Sequence, residues 1–399
     1  MESSPEKKLL MVFSLDMAAH YLRCVELCKR LKDQFQIVFA HSRKYGRFMH
    51  ESGFKTFEVE NFESEEVAKS ASSFDFSWLS PVNIERVLTS QIDAIAEHKP
   101  NIVLGDAAFT LKMAAEKTHV PFVSLVNGYM TPYYGLTRKV SPSHFAYQYS
   151  RTIPARVFDS LTRRIEHIMF RRIHAPFRRA RSKHKLSRRS YFLQELEGDF
   201  NLICDLPNLF PQKNQPANYE FIGPLFHRGN ENENEIQRFL EGGHPHILVS
   251  MGSTGNRKIV DLFRDSAFAD YQIIVSGNGS DALCSENMLS QSFVNHTAIM
   301  NKIDVVVCHG GNGTIYQALS NGIPVLCFPN NFEQEWNIQR VTETGLGARL
   351  DESLSASDVR VLVDSWIGKK SEPVFAESRE TIRSFVDRPV FLNKEYIKF

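Results

Sequence analysis

An α/β architecture of two Rossmann-like domains follows from three features of the sequence. Short β-rich runs alternate with amphipathic helical stretches, the pattern of parallel strands joined by right-handed crossovers. That pattern occurs twice, without sequence repetition, on either side of a proline-rich segment. The chain also has 399 residues, beyond the size at which a single core keeps growing.

In the first half, Leu9 to Ser14, Gln36 to Ala40, Thr56 to Val59, Asn101 to Gly105 and Pro121 to Val126 read as strands. His20 to Leu31 and Ile84 to Glu97 carry apolar residues at helical spacing between them. Leu206 to Pro224 holds Pro207, Pro211, Pro216 and Pro224, the composition of an interdomain linker. Glu231 to Glu235 is polar and expected on the surface. In the second half the expected strands are His246 to Met251, Gln272 to Ser276, Ser292 to Val294, Asp304 to Cys308 and Val325 to Phe328. The expected layout is a first domain over 1–205, a linker over 206–224 and a second domain over 225–385. Folds of this kind bind ligands at the carboxyl ends of their strands, so a cleft where two such sheets face each other is the expected site.

Composition excludes several classes. The chain is 42% hydrophobic and 23% charged with a net charge of +1, an ordinary globular balance that gives no reason to expect nucleic acid as partner. Lys7 and Lys8 precede an apolar run of only Leu9 to Leu15, too short for a secretory signal, and no window approaches the roughly 20 apolar residues of a spanning helix. A cytoplasmic protein is expected. Its six cysteines lack Cys-x-x-Cys spacing, which argues against a zinc site or a disulfide framework, and Cys24 and Cys28 share one helix face as core filling.

One segment departs from this balance. Arg151 to Arg189 holds 13 Arg or Lys against Asp159 and Glu166. Within it Val157, Phe158, Leu161, Ile165, Ile168, Met169 and Ile173 recur at helical spacing. Two readings stand: a long surface helix docked on its own domain, or a face for anionic membrane lipid or a phosphorylated acceptor. No aromatic interleaving favours RNA.

The densest chemistry lies in CHGGNGTIYQALSNGIPVLCFPNNFEQEWN, from Cys308 to Asn337. Glycines between a strand and a helix let phosphate oxygens reach backbone N–H groups that a β-carbon would screen. The helix macrodipole adds about half a positive charge there, and His309 offers a further donor. The spacing is neither that of a P-loop nor Gly-x-Gly-x-x-Gly after the first strand, so nucleotide hydrolysis and hydride transfer lose support. On the hexapeptide alone a purely structural glycine turn remains open.

The residues that follow make a resemblance specific. His309-Gly-Gly-Asn-Gly-Thr314, Gln317-Ala318, Gly322-Ile-Pro324, Pro329, Glu333-Gln334 and Asn337 resemble the donor-binding signature of the UDP-glycosyltransferase family, built on the GT-B fold. Val249-Ser-Met-Gly-Ser253, Ile222-Gly-Pro-Leu225 and Phe293-Val-Asn-His296 are similar to its phosphate turn, its linker exit and its base-stacking segment. The tail over 386–399 is similar to the family's last helix, which crosses back to the first domain. The resemblance covers most of the chain and is dense only in the second half.

Carried over residue by residue, it implies that His309, Gly311, Asn312, Gly313 and Thr314 hold the pyrophosphate with Ser253 opposite. Phe293 and Val294 would meet the base, Gln317 the ribose, and Glu333 and Gln334 the sugar hydroxyls. Three departures bear on the donor. Gln317 stands where the family has Glu, which replaces a charged double acceptor by an amide; Glu333 stands for Asp; and Asn295-His296 stands for Pro-Gln.

Inverting transfer needs a base for the acceptor hydroxyl, and a neutral imidazole suits it. Ala18-Ala19-His20 follows the first strand where the family has its Gly-His base, so the resemblance implies His20. Asp106 ends a strand where the family often places an Asp that orients the His, although an Asp there is equally suited to capping the next helix. No Asp-x-Asp occurs, so neither a metal nor another cofactor is expected. The function expected is transfer of a hexose from a UDP-sugar, or another nucleotide diphosphate sugar, to a hydroxyl of an apolar small molecule or lipid. The loops with Phe74, Phe76, Trp78, Tyr129, Tyr133 and Tyr134 would form the acceptor pocket, unless these rings are ordinary packing. Two other readings remain: a UDP-sugar 2-epimerase, distinguished by product formation without acceptor, and a non-catalytic nucleotide-sugar binder, indifferent to loss of His20.

Overall fold

The computed structural model describes residues 7–72, 75–142, 144–227, 234–252, 256, 258–277 and 285–372. Two compact units divide the chain, the first running to Leu225 and the second beginning at Phe226. The tail over 386–399 and Ser253 lie outside the described residues, as do Phe74 and the first part of the polar loop at Glu231.

The first unit is a parallel sheet of β1 (Lys8–Ser14), β2 (Phe35–Ala40), β3 (Lys55–Phe57), β4 (Ile102–Asp106), β5 (Phe122–Val126), β6 (Phe200–Ile203) and β7 (Tyr219–Phe221). Their spatial order is β3-β2-β1-β4-β5-β6-β7. The central strands are continuous apolar runs because helices cover both faces of a parallel sheet; Met11, Val12, Val103 and Leu104 are wholly buried. The chain winds outward from β1 to β3, then returns to the other side of β1 as β4. Ser14 therefore pairs with Asp106 at the point where the winding reverses.

Leu206 to Pro224, read from its prolines as a linker, belongs to this unit. Leu209 and Phe210 are buried, and β7 adds an edge strand on β6. An edge position tolerates the neighbouring prolines, since one side of such a strand needs no ladder donors.

The basic segment forms two helices, Ala155–Ile173 and Ala175–Lys183, rather than one long one. The break falls at His174, whose ring donates to Glu195 at 2.6 Å, while Pro176 opens the second helix, a position where the missing N–H costs nothing.

The second unit is a parallel sheet of β8 (His246–Gly252), β9 (Gln272–Gly277), β10 (Met288–Gln291), β11 (Val305–Cys308), β12 (Val325–Cys327) and β13 (Gly347–Arg349), ordered β10-β9-β8-β11-β12-β13. The strand expected at Ser292 to Val294 falls four residues earlier, at β10, leaving Phe293 and Val294 in the loop beyond its carboxyl end. Winding again reverses at one place, between β8 and β11, where Ser250 pairs with Cys308.

Candidate functional site

Each unit places its chemistry at its own reversal point, where the two diverging connections leave a crevice at the carboxyl edge. In the first unit that crevice holds His20 and Asp106. Asp106 ends β4, and the backbone of Ala107 turns away with φ +49°, a left-handed conformation that costs an alanine energy. His20 sits in the first turn of the helix Ala18–Leu31, which begins just past β1. Its Nδ1 lies 2.8 Å from Asp106 Oδ1. A carboxylate only accepts, so Nδ1 donates to Asp106 and Nε2 is the ring nitrogen turned away from it.

Sequence reasoning missed Arg23, three residues further along the same helix face. Its guanidinium grips Asp106 with both Nε and Nη2, the latter at 2.6 Å from Oδ1, and Nη1 donates to Asn127 Oδ1 beyond β5. Arg23 is nearly buried and Asp106 wholly so. Burial by itself would raise the Asp106 carboxyl, but the charges of Arg23 and His20 outweigh it and hold the group below the usual carboxylate range. Asp106 is thus a fixed anion with one oxygen shared between Arg23 and His20. The signal that could have found Arg23 was an arginine on a mostly buried helix face, one turn from a candidate base.

Asn127 carries the network on by donating to the Tyr129 hydroxyl, and the Gly128 N–H donates to the buried Asp205 at 2.6 Å. Of the aromatics expected around an acceptor, Trp78 and Tyr129 are core residues. Trp78 packs edge-on against Phe62 and Phe109, and Tyr129 against Phe210. Tyr133 packs on Tyr219, and Phe76 on Phe192. Ordinary packing accounts for these four rings.

In the second unit, β11 leads through His309, Gly310 and Gly311 into the helix Asn312–Leu319. The N-cap of this helix is Gly311, which has no side chain to cap it, and its first internal bond runs from Ile315 N–H to the Gly311 carbonyl, as at any helix start. Gly310 has φ +92°, and its carbonyl accepts from Asn337 Nδ2 at 3.0 Å. A β-carbon on Gly311 would come within 2.6 Å of His309 Nε2, and one on Gly252 within 2.6 Å of His309 Cε1. Those two glycines are therefore bare because the His309 ring lies between them. Gly313 is different, since a β-carbon there would meet nothing within 4 Å. Among the described residues there is no steric reason for that glycine, whereas an approaching ligand would supply one.

His309 Nδ1 donates to the Ser250 carbonyl at 3.4 Å, which directs Nε2 towards Gly311 and the helix start. Burial, partly offset by that carbonyl, lowers its pKa below the usual histidine value. The ring is neutral near pH 7.

Three further expected donor residues are engaged within the protein. Gln317 Oε1 accepts from His296 Nδ1 at 2.9 Å, and its Nε2 donates to the His227 carbonyl at 3.1 Å. Gln334 is buried with Oε1 accepting from the Asn330 N–H at 2.7 Å, which fixes the turn entering the helix Phe332–Glu343; Asn331 caps that helix through the Gln334 N–H. Glu333 lies half-buried in the first turn of the same helix. Phe293 is near the His227 ring and Val294 is buried, both beyond β10. The structure thus brings His309, Gly311, Asn312, Gly313 and Thr314 together at one helix start, and it ties the Gln317 amide into the protein on both sides.

The chain is similar to known proteins in sequence and in fold. Residues 246–380 match the glycosyltransferase family 28 C-terminal domain. A PGL/p-HBAD biosynthesis glycosyltransferase of Mycobacterium tuberculosis is 24% identical over 351 residues, 86% of this chain and 81% of that protein. A PGL/p-HBAD biosynthesis rhamnosyltransferase of Mycobacterium bovis is 24% identical, over 86% of this chain and 77% of its own. Among solved structures, the kitacinnamycin glycotransferase superposes with a TM-score of 0.66 at 18% identity, covering 96% of this chain and 95% of that one. The Streptomyces glycosyltransferase SsfS6, solved with thymidine diphosphate, superposes with a TM-score of 0.62 at 14% identity over 95% of each chain.

Proposed function

We propose that this chain, a glycosyltransferase of the GT-B fold, moves a hexosyl group with inversion from a pyrimidine nucleoside diphosphate sugar to a hydroxyl of an apolar acceptor. The observation that carries the reading is the His20–Asp106–Arg23 cluster at the reversal point of the first sheet. A histidine whose Nδ1–H is held by a fixed anion presents Nε2 as a base.

In the proposed reaction Nε2 of His20 takes the proton of the acceptor hydroxyl as its oxygen attacks the anomeric carbon. The bond from that carbon to the β-phosphate oxygen breaks, and the nucleoside diphosphate leaves with the electron pair. Asp106 stabilises the imidazolium formed, as in other base-and-orienter pairs. Arg23 touches neither substrate; it positions Asp106. In the second unit the first-turn N–H groups of the helix Asn312–Leu319, together with His309 once its Nε2 has taken up a proton, would receive the charge that develops on the departing pyrophosphate.

The resemblance points to UDP, and the thymidine diphosphate bound by SsfS6 keeps dTDP beside it. The name of the mycobacterial rhamnosyltransferase admits a deoxyhexose such as rhamnose as the sugar. The scattered cysteines favour the cytoplasm as the place of reaction. A screen of UDP- and dTDP-sugars against apolar hydroxyl acceptors, read by mass spectrometry, tests the reading. Transfer that survives His20→Ala, or a product that retains the donor's anomeric configuration, overturns it.

A further inference from the structure

The helix Ala155–Ile173 is anchored by one side only. Phe170 is buried, Glu166 pairs with the buried Arg138 at 2.5 Å, and Phe158, Met169 and Ile173 are turned at least partly inward. Thus only part of the apolar pattern read in the sequence is used in packing. The rest stands in solvent: Val157 is 57% exposed, Leu161 45%, Ile165 57% and Ile168 52%. At 3.6 residues per turn these four positions fall within about 80° of the helix circumference, so they form one stripe.

The flank of that stripe has a sign. Arg156, Arg164 and Arg171 are exposed on the adjoining side, and Arg172 is exposed at its C-terminal end. Arg156, Arg163, Arg164 and His167 also line a shallow depression along the same helix. Arginines bordering half-exposed aliphatic side chains match an anionic lipid surface, where headgroup phosphates meet the cations and the aliphatic groups enter the acyl boundary. A second copy of the chain would bring the same arginines face to face and is disfavoured by their charge. No helix among the described residues is long and apolar enough to cross a membrane, so contact through this face would be peripheral.

We infer that the outer face of Ala155–Ile173 docks this protein on an anionic bilayer, with Val157, Leu161, Ile165 and Ile168 inserted and the flanking arginines on the headgroups. The inference stands on exposure and charge and does not require the catalytic reading.

The test is flotation of the full chain with vesicles of phosphatidylcholine alone or mixed with phosphatidylglycerol, at low and high salt. Expected are binding that requires phosphatidylglycerol, weakening of that binding by salt, and a loss of about tenfold or more in the bound fraction for Leu161→Glu/Ile165→Glu and for Arg164→Glu/Arg171→Glu. Both variants change exposed positions, and each should keep the wild-type melting temperature and turnover of a water-soluble acceptor. Equal binding to neutral vesicles, or none to anionic ones, overturns the inference. So does a wild-type dimer in sedimentation that Leu161→Glu/Ile165→Glu dissociates, which would make the face a contact between copies. Loss of soluble-acceptor turnover in that variant would assign the stripe to the acceptor site instead.

Discussion

Replacing Arg23 by Met tests the core of the proposed mechanism without touching a group that meets substrate. The substitution keeps most of the side-chain volume and removes the cation that both oxygens of Asp106 depend on. Because Asp106 is wholly buried and Arg23 nearly so, the variant leaves a buried anion with His20 as the remaining hydrogen-bond partner of the two. Breaking such a pair costs about 3 to 5 kcal/mol. At roughly 2 to 4 °C per kcal/mol for a unit of this size, the first transition should fall by about 6 to 20 °C. The chemistry changes in a defined direction. Without Arg23, burial pushes the Asp106 carboxyl upward, and either it takes a proton or the imidazole keeps one to neutralise it. Both outcomes remove the neutral-imidazole and carboxylate pair at pH 7. Activity there should drop by about tenfold or more, towards the full loss of a general base at roughly a hundred- to ten-thousand-fold. The acid limb of kcat/KM should move to higher pH, so that part of the activity returns on the alkaline side. Asp106→Asn lacks that recovery, and Arg23→Met/Asp106→Asn removes both charges and should regain much of the stability while staying slow. The measurements are thermal unfolding and kcat/KM against pH on the four proteins. An Arg23→Met variant with wild-type melting and an unmoved pH profile refutes the argument that Arg23 holds Asp106 as an anion.

Four further outcomes follow from the second unit. Gly313→Ala should leave the protein as stable as before or up to about 1 kcal/mol more so, since alanine suits a helix better and meets no atom within 4 Å, yet it should raise the donor KM about tenfold; unchanged donor affinity would place the pyrophosphate elsewhere. Because burial lowers the His309 pKa in the free protein, an anion bound beside Nε2 should raise it again, so nucleoside diphosphate binding should take up a fraction of a proton and strengthen as pH falls from 8 towards 6. Calorimetry in two buffers of different ionisation enthalpy measures that fraction, and a value of zero removes His309 from the phosphate site. The same depressed pKa means the unfolded chain binds the proton more readily, so the stability tied to a neutral His309 is present above about pH 6.5 and is lost as pH falls below it. Gln317→Glu sets a carboxylate oxygen where the amide N–H donates to the His227 carbonyl, and should cost about 1 to 3 kcal/mol by thermal unfolding; a stabilised variant with tighter donor binding would show instead that this position is built to grip the ribose.

Much of this was legible along the chain. The alternation of apolar runs and amphipathic stretches determined two parallel sheets, because a strand buried on both faces must be apolar throughout and a crossover helix need be so on one side only. The glycines after Cys308 and the histidine after the first strand marked the two candidate centres, since each sits directly beyond a strand end. The short edge strands β7 and β13, at three residues each, were not legible, because their pairing comes from neighbours distant in sequence and not from local pattern. Nor could the expected strand at Ser292 reveal that its pairing lay at Met288 to Gln291, beside Ile273 to Ser276.

What only the tertiary structure decided concerns partners. Sequence gave His20 and Asp106 as separate candidates 86 positions apart, and the return of the chain to β1 as β4 placed them 2.8 Å from each other. That same return let Arg23 close on Asp106, turning an ordinary helix arginine into the buried partner of a carboxylate. Gln317 is the converse case: a residue read as open to a ligand has both amide atoms engaged by His296 and His227. The apolar stripe of the basic helix likewise divided into a packed side and an exposed side only when Phe170 and Glu166 found their partners. A residue's chemistry belongs to its side chain and is fixed by sequence. Whether that chemistry is held, neutralised or left facing solvent depends on groups that the crossovers of the sheet bring beside it.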